Sequence, residues 1–242
     1  MWVCIYVLIG SGKSTLVRVL LGLESIDNPK SMSSGRVIID GRDLSPFNRV
    51  PFFSMVGQDS DLFRGLTLVD NVRYGSETLF GAEKFTAEQK DLALHRAALD
   101  AQLYPVISKL ENGWKANVGP RGRLLSGGER QRTCLARALY RQELGGGMLL
   151  MDEVTASLDA QTESIVTNAI MSRVQQGASA ILIAHRLSSV VQCNLILVLK
   201  DGEIIEHGTH QQLIEKVDGW YAESWVLQSQ SQQSSSAVAY WE

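Results

Sequence analysis

At 242 residues, 45% of them hydrophobic, the chain is long enough to bury an ordinary core as one large domain or as a core with a subdomain. Its 23 basic and 26 acidic residues give a net charge of −3 and are interspersed without a basic tract, which argues against nucleic acid as a partner. No stretch reaches the roughly 20 apolar residues that span a bilayer, so a membrane role requires a span from another segment or chain.

Cys4, Cys134 and Cys193 are too few and too far apart for a metal cluster or a disulfide framework. They read as reduced thiols of a cytosol-like or matrix-like compartment. The apolar start, residues 2–9, lacks the basic flank of a signal peptide and reads as a buried parallel strand. It delivers the chain to Gly10-Ser11-Gly12-Lys13-Ser14-Thr15. In such a run two glycines let backbone N–H groups turn toward phosphate oxygens, Lys13 reaches the terminal phosphates, and Ser14 offers a small hydroxyl to Mg²⁺. A helix from about residue 13 to 23 follows, and its positive N-terminal end faces the same phosphates. Strand, loop and helix together form the context that this motif requires. The usual pattern G-x-x-x-x-G-K-[ST] has one departure, because Val7 stands where its first glycine belongs.

Residues 24–34 are polar and read as an exposed loop, and 36–40 with the Gly41 turn read as a strand and bend. The apolar run 52–56 reads as another buried strand with Gln58 just past its end, where residues of open α/β sheets face the ligand crevice. Residues 66–112 change character, with helical spacing over 87–101 and 103–110, as in a helical insertion between two halves of a sheet domain. The glycine-rich segment 118–125 then leads into Ser126-Gly127-Gly128-Glu129-Arg130-Gln131. Cys134, Leu135, Ala138 and Leu139 continue at helical spacing, which places Ser126-Gly127-Gly128 at a second helix N-terminus. That end offers a second anion site; the plainer reading is a serine cap with a glycine turn.

After Gly145-Gly146-Gly147, residues 148–151 read as a fully buried strand with Asp152-Glu153 at its tip. The first carboxylate suits the Mg²⁺ shell, and the second suits orienting or deprotonating an attacking water. Asp159 precedes a helix to about residue 175 and, taken alone, reads as a turn or cap residue. The strand 180–184 ends at His185, again at a strand tip. Residues 195–199, the Asp201-Gly202 turn and 203–207 form a hairpin signal, followed by a short helix near 210–216. The tail 228–242 is rich in glutamine and serine and is expected to be disordered.

The order of glycine loop, strand-end Gln58, Leu125-Ser126-Gly127-Gly128-Glu129-Arg130-Gln131, apolar run with Asp152-Glu153, Leu158-Asp159 and strand-end His185 closely resembles the nucleotide-binding domain of ATP-binding cassette (ABC) transporters. The resemblance covers about residues 8–227. Finer detail is similar to the exporter-type half-transporters: Asp70-Asn71-Val72-Arg73-Tyr74-Gly75, Ile183-Ala184-His185-Arg186-Leu187-Ser188, Gly208-Thr209-His210 and Gly219-Trp220-Tyr221-Ala222. Within that group the chain is similar to the mitochondrial and vacuolar heavy-metal or iron–sulfur-related branch.

The resemblance implies an α/β fold, a P-loop NTPase (RecA-like) core with a mostly parallel sheet, plus an inserted helical subdomain and a small antiparallel β portion. The ATPase domain would occupy residues 1–227, with the helical subdomain at about 66–140. It also implies ATP hydrolysis that powers transmembrane export, with two domains paired head to tail and each ATP lying between the glycine loop of one and the signature of the other. ATP and Mg²⁺ are the implied cofactors. Gly10, Ser11, Gly12, Lys13, Ser14 and Thr15 would bind phosphates, with Ser14 also on Mg²⁺. Gln58 would sense the metal and couple to the membrane domain. Ser126, Gly127 and Gly128 would hold the γ-phosphate of the partner's ATP. Asp152 would support Mg²⁺, Glu153 would activate water, Asp159 would bridge the dimer, and His185 would contact the γ-phosphate. Implied partners are a transmembrane domain that this sequence does not include and a second nucleotide-binding domain, the same or different, and not nucleic acid. The expected location is a membrane, reached through that domain, with this chain facing cytosol or mitochondrial matrix.

Departures from the family pattern concentrate at the front. Besides Val7, the upstream strands and the aromatic residue that stacks on adenine in this family do not precede the loop, and Pro120 replaces an acidic residue before Arg121-Gly122. Two expectations follow: the sequence is a fragment or mis-started gene model, and the alternative function is a nucleotide-binding or regulatory module that does not hydrolyse.

Overall fold

Six residues without a charge, Trp-Val-Cys-Ile-Tyr-Val, form strand β1 (Trp2–Val7), and Trp2, Cys4, Ile5 and Tyr6 are all buried. A strand apolar on both faces belongs inside a parallel sheet with both faces covered. The structure is a computed structural model that describes residues 1–7, 12–25, 35–76, 82–152, 158–184 and 189–238. These divide into two units, residues 1–13 with 181–242, and residues 14–180.

In the first unit the strand order is β6 (Ala180–Ala184), β1, β7 (Leu195–Lys200), β8 (Glu203–Gly208). β1 and β7 run parallel, in register from Val3 opposite Leu195 to Val7 opposite Leu199. β8 returns antiparallel through Asp201-Gly202, whose φ angles of 51° and 85° are the positive pair that a tight hairpin turn demands. Beyond β8 the final helix of the chain, Trp220–Val238, is anchored at its start: Glu206 accepts the amides of Trp220 at 2.9 Å and Tyr221 at 3.0 Å. Further along, Gln228 donates to the Tyr6 hydroxyl at 3.0 Å. Residues 228–238, expected from composition as the start of an unstructured tail, continue this helix. Extending a helix that tertiary contacts have already nucleated costs far less than starting one.

The second unit opens with α1 (Lys13–Leu20). Its end is a Schellman arrangement, with Leu23 N–H bonded to Arg18 C=O and Gly22 N–H to Val19 C=O. Gly22 has φ +74°, and a Cβ there would lie 2.1 Å from the Pro46 carbonyl oxygen. The buried Arg49 completes the cap, donating from Nη1 to Val19 O at 2.7 Å and from Nε to Leu44 O at 2.9 Å. A short hairpin of β2 (Ile38–Ile39) and β3 (Arg42–Asp43) follows. The strand expected over 36–40 is reduced to these two residues because the turn at Asp40-Gly41, again positive in φ, gives only Ile38 and Ile39 a partner.

β4 (Phe53–Val56) and β5 (Met148–Asp152) pair in parallel, with Phe53 opposite Met148 and Val56 opposite Met151. Between them the chain passes through α2 (Leu68–Arg73), α3 (Ala87–Asp100), α4 (Tyr104–Lys109) and α5 (Gly127–Glu143). α2, α3 and α5 each begin with a capping box, formed by Thr67/Asp70, Thr86/Gln89 and Ser126/Glu129. Ala93, Leu94, Ala97 and Ala98 bury one face of α3 against α5, the spacing expected of an amphipathic helix. α6 (Ala160–Gln175) follows β5, while α7 (His210–Ile214) and α8 (Trp220–Val238) belong to the first unit. No described helix is long and apolar enough to cross a membrane. With parallel pairs β1/β7 and β4/β5, flanking helices and antiparallel hairpins, the chain has the α/β, mostly parallel P-loop NTPase fold.

Candidate functional site

Gly12 has φ +96°, a conformation closed to most side chains, and a Cβ built on it meets no atom within 4 Å. That conformation carries the backbone directly into α1. Lys13, Ser14 and Thr15 form the first turn of α1, which carries no acidic residue. The first four amides of a helix have no intrahelical acceptor and concentrate positive potential at that end. Gly10 and Ser11 lie outside the described residues, and Val7 closes β1 in register with Leu199.

The β4–β5 register brings Gln58 and Asp152 out at the same end of their strand pair, Gln58 two residues beyond Val56 and Asp152 one beyond its partner Met151. Gln58 is exposed and Asp152 half-buried. An amide oxygen, a carboxylate and the Ser14 hydroxyl are all hard oxygen donors, and this donor set fits Mg²⁺. Glu153 follows Asp152 directly and His185 follows β6, but both lie outside the described residues. The entry to β5 is unusually tight. Ser54 Oγ donates to Gly146 O at 2.7 Å, and a Cβ at Gly146 or Gly147 would fall 2.4 Å from Arg141 O or 2.3 Å from Phe52 O.

At the head of α5, Ser126 Oγ accepts the Glu129 amide at 3.3 Å and Glu129 Oε2 accepts the Ser126 amide at 2.9 Å. This uses the serine as a cap, and the amides of Gly127 and Gly128 retain no acceptor within the helix. The Glu129 carboxyl is held below its usual range by the Ser126 amide foremost, against burial, with the Ser126 hydroxyl and Lys109 helping. Leu124, just before, is 68% exposed. The loop that presents these residues is wound through positive φ at Gly119, Arg121 and Gly122, and Arg130 Nη1 ties it down at Leu125 O.

Asp159 is the N-cap of α6, where its carboxylate accepts the Thr162 amide at 2.9 Å and the Thr162 hydroxyl at 2.7 Å. Those two bonds, the amide first, hold its carboxyl below the usual range. It is exposed, and its cap role accounts for its local geometry.

One arrangement escapes sequence reasoning. Arg137 of α5 donates from Nε to Asn71 O at 2.7 Å and from Nη2 to Asn71 Oδ1 at 3.2 Å, and its guanidinium lies 5.0 Å above the Phe63 ring. Asn71 Oδ1 also accepts the Phe63 amide at 2.8 Å, and Phe63 stacks on Tyr74 at 3.7 Å. Beside this tie lies an apolar groove of about 270 Å³, lined by Leu21, Leu23, Met55, Tyr74, Ala138 and Arg141 among others. Met55 is three residues before Gln58. The only signal in the sequence is Asn71 itself, which falls within the run 70–75.

Residues 7–156 match the family described as ABC transporter. Over 228 residues the chain is 37% identical to ATP-binding cassette sub-family B member 6 of Rattus norvegicus, covering 93% of this chain and 25% of that protein. Over 215 residues it is 39% identical to ATP-binding cassette sub-family B member 10, mitochondrial, of Mus musculus, covering 88% of this chain and 28% of that protein. The solved structure of a bacterial Atm1-family ABC exporter with ATP bound superposes with a TM-score of 0.77 at 35% identity, covering 93% of this chain and 36% of that one. The chain thus spans about a quarter of the length of the curated relatives it matches.

Proposed function

We propose, for a chain that belongs to the ABC transporter family, that it is the ATP-binding and ATP-hydrolysing domain that powers transmembrane export by pairing head to tail with a second such domain. The observation that carries this reading is that one chain has two helix N-termini whose residues suit phosphate. α1 begins with Lys13 and Ser14, and α5 begins with Ser126, Gly127 and Gly128 beside the exposed Leu124. Two ends of this kind, one bearing a cation and one only amides and a hydroxyl, suit opposite sides of a nucleotide shared between two copies.

In this reading Gly10 to Thr15 cradle the phosphates of the chain's own ATP, with Lys13 on the terminal phosphates. Ser14 and Asp152, with Gln58, hold Mg²⁺, which neutralises charge on the β- and γ-phosphate oxygens when bound. Glu153 orients or deprotonates the attacking water, and His185 contacts the γ-phosphate. Ser126, Gly127 and Gly128 hold the γ-phosphate of the partner's ATP, and Asp159 bridges to the partner from its position at the head of α6. Gln58 couples to a transmembrane domain, for which the apolar groove around Met55 and Tyr74 offers a seat. Residues 1–227 make up the ATPase domain, with the helical subdomain at about 66–140. The chain works at a membrane, facing cytosol or, by analogy with its mitochondrial relative, the matrix.

Steady-state Mg-ATP hydrolysis tests the reading. Glu153→Gln is expected to abolish turnover while nucleotide binding and ATP-dependent dimerisation persist. Equal turnover in the variant would reject the assignment, and nucleotide binding without turnover in the unaltered chain would favour a non-hydrolysing module.

A further inference from the structure

Three helices of the second unit end on one cluster of charge. Asp100 is the last residue of α3, Glu143 the last of α5, and Arg173 lies in the last turn of α6. Arg173 donates from Nε to Asp100 Oδ2 at 2.6 Å and from Nη1 to Glu143 Oε1 at 2.9 Å. The side chain of Arg173 is 11% exposed, and those of Asp100 and Glu143 are 27% and 23% exposed. Carboxylates at helix C-termini face the negative end of the helix dipole, so neither Asp100 nor Glu143 is favoured by its own helix. What holds them there is the planar fork of a single guanidinium, which can address two carboxylates in fixed directions as an ammonium cannot. Arg173 Nη2 is buried without a hydrogen-bond partner among the described residues. Arg96 adds only a 3.8 Å approach to Glu143 from a mostly exposed position. Buried ion clusters are poor stabilisers compared with apolar packing, and their best-supported use is to fix one arrangement of elements.

The opposite ends of α5 and α6 carry Ser126 and Asp159. With 17 and 16 residues, the two helices are levers of about 25 Å pivoting near the cluster. A rotation of about 10° there moves the far end by about 4 Å. Misplacement of reacting groups by about 1 Å can already cost about a hundred-fold in rate.

We propose that Arg173 is a positioning residue for ATP hydrolysis: by tying Asp100 and Glu143 together it sets the directions of α5 and α6, and so the placement of Ser126-Gly127-Gly128 and Asp159 toward the partner's nucleotide. This rests on the reading of those residues as partner-facing. Arg173 itself touches no reacting atom.

The test joins a distance measurement to kinetics. Spin labels on Leu124→Cys, in the loop just before the Ser126 cap of α5, and Ile165→Cys, on α6, both exposed in the native chain whereas the three native cysteines are buried, report the relative placement of the Ser126 end and α6 by pulsed electron resonance without nucleotide. One narrow distance distribution is expected for the unaltered chain, a distribution at least about two-fold broader for Arg173→Met, and partial recovery for Arg173→Lys. In hydrolysis, Arg173→Met should lower kcat about ten-fold or more with KM within about two-fold, and Arg173→Lys should restore part of it. Should Arg173→Met fail to fold, Asp100→Asn removes half of the tie and is expected to move both readouts in the same direction. An unchanged distance distribution, or a kcat loss no larger than the loss of folded protein, overturns the proposal. In a chain without turnover the distance arm still decides whether Arg173 sets the directions of α5 and α6, and the missing turnover counts against the proposed function on which the catalytic part rests.

Discussion

Replacing Gly147 with alanine strikes the point where β5 enters the sheet beside β4. Gly147 has φ +69°, and a Cβ there would sit 2.3 Å from the Phe52 carbonyl oxygen and 2.6 Å from its carbon. Holding alanine in the left-handed region costs about 1–2 kcal/mol. The overlap is with backbone, which cannot rotate away, so β4 and β5 must part locally at a further cost of about 1–3 kcal/mol. Gly145→Ala supplies the control: its φ is +86°, but its Cβ would meet nothing within 4 Å, so only the first cost applies. At about 2–4 °C per kcal/mol for a chain of this size, thermal unfolding followed by circular dichroism should drop by about 4–20 °C for Gly147→Ala and by about 2–8 °C for Gly145→Ala, with the first drop the larger by the cost of the overlap. Since the same strand pair sets Gln58 and Asp152 at one edge, turnover should fall more in the first variant. Equal unfolding temperatures in the two variants would refute the close approach of Gly147 to Phe52.

Glu206 should make stability acid-sensitive. Burial opposes its ionisation, but the amides of Tyr221 and Trp220 and the Lys216 ammonium outweigh it and hold the carboxyl below its usual range. Its stabilisation is therefore complete above the unfolded value of about 4.3 and is lost as pH falls through the lower folded value. Glu206→Gln should cost about 1–3 kcal/mol at pH 7 and flatten that acid limb in urea titrations from pH 3 to 7; an unchanged limb would contradict the assignment. Ser126→Ala should cost only about 1 kcal/mol as a lost cap, while hydrolysis falls far more than stability. A loss of turnover in mere proportion to stability would leave Ser126 a cap and nothing else.

The strand pair that frames the site is legible because residues 52–56 and 148–151 are short apolar runs followed at once by polar residues, a pattern that a buried parallel strand and its tip share with few alternatives. Ser126 is legible for a similar reason: Cys134, Leu135, Ala138 and Leu139 define a helix, and α5 begins immediately after the serine. The Asp201-Gly202 hairpin follows from its turn residues alone. The Arg173 tie is not legible, because among 23 basic and 26 acidic residues no spacing singles out three from distant helix ends. Nor is the groove, whose lining comes from the turn after α1, β4 and the residue Val50 before it, α5 and the turn after α2, none of which signals an exposed apolar face by itself. Composition misleads at residues 228–238, where glutamine and serine disfavour order but a helix anchored by Glu206 and Tyr6 runs on.

The measurement that bears most directly on the central claim is Mg-ATP hydrolysis by mixtures of two inactive variants. Lys13→Ala destroys the glycine-loop side of a site and Ser126→Arg the α5 side. If each site is built from α1 of one chain and α5 of another, a mixed pair contains one site with both defects and one with neither. Each variant alone is expected to be inactive, and the mixture is expected to recover turnover in proportion to the mixed pairs formed. Mixtures as inactive as their components, under conditions where the chains demonstrably pair, would contradict the shared site.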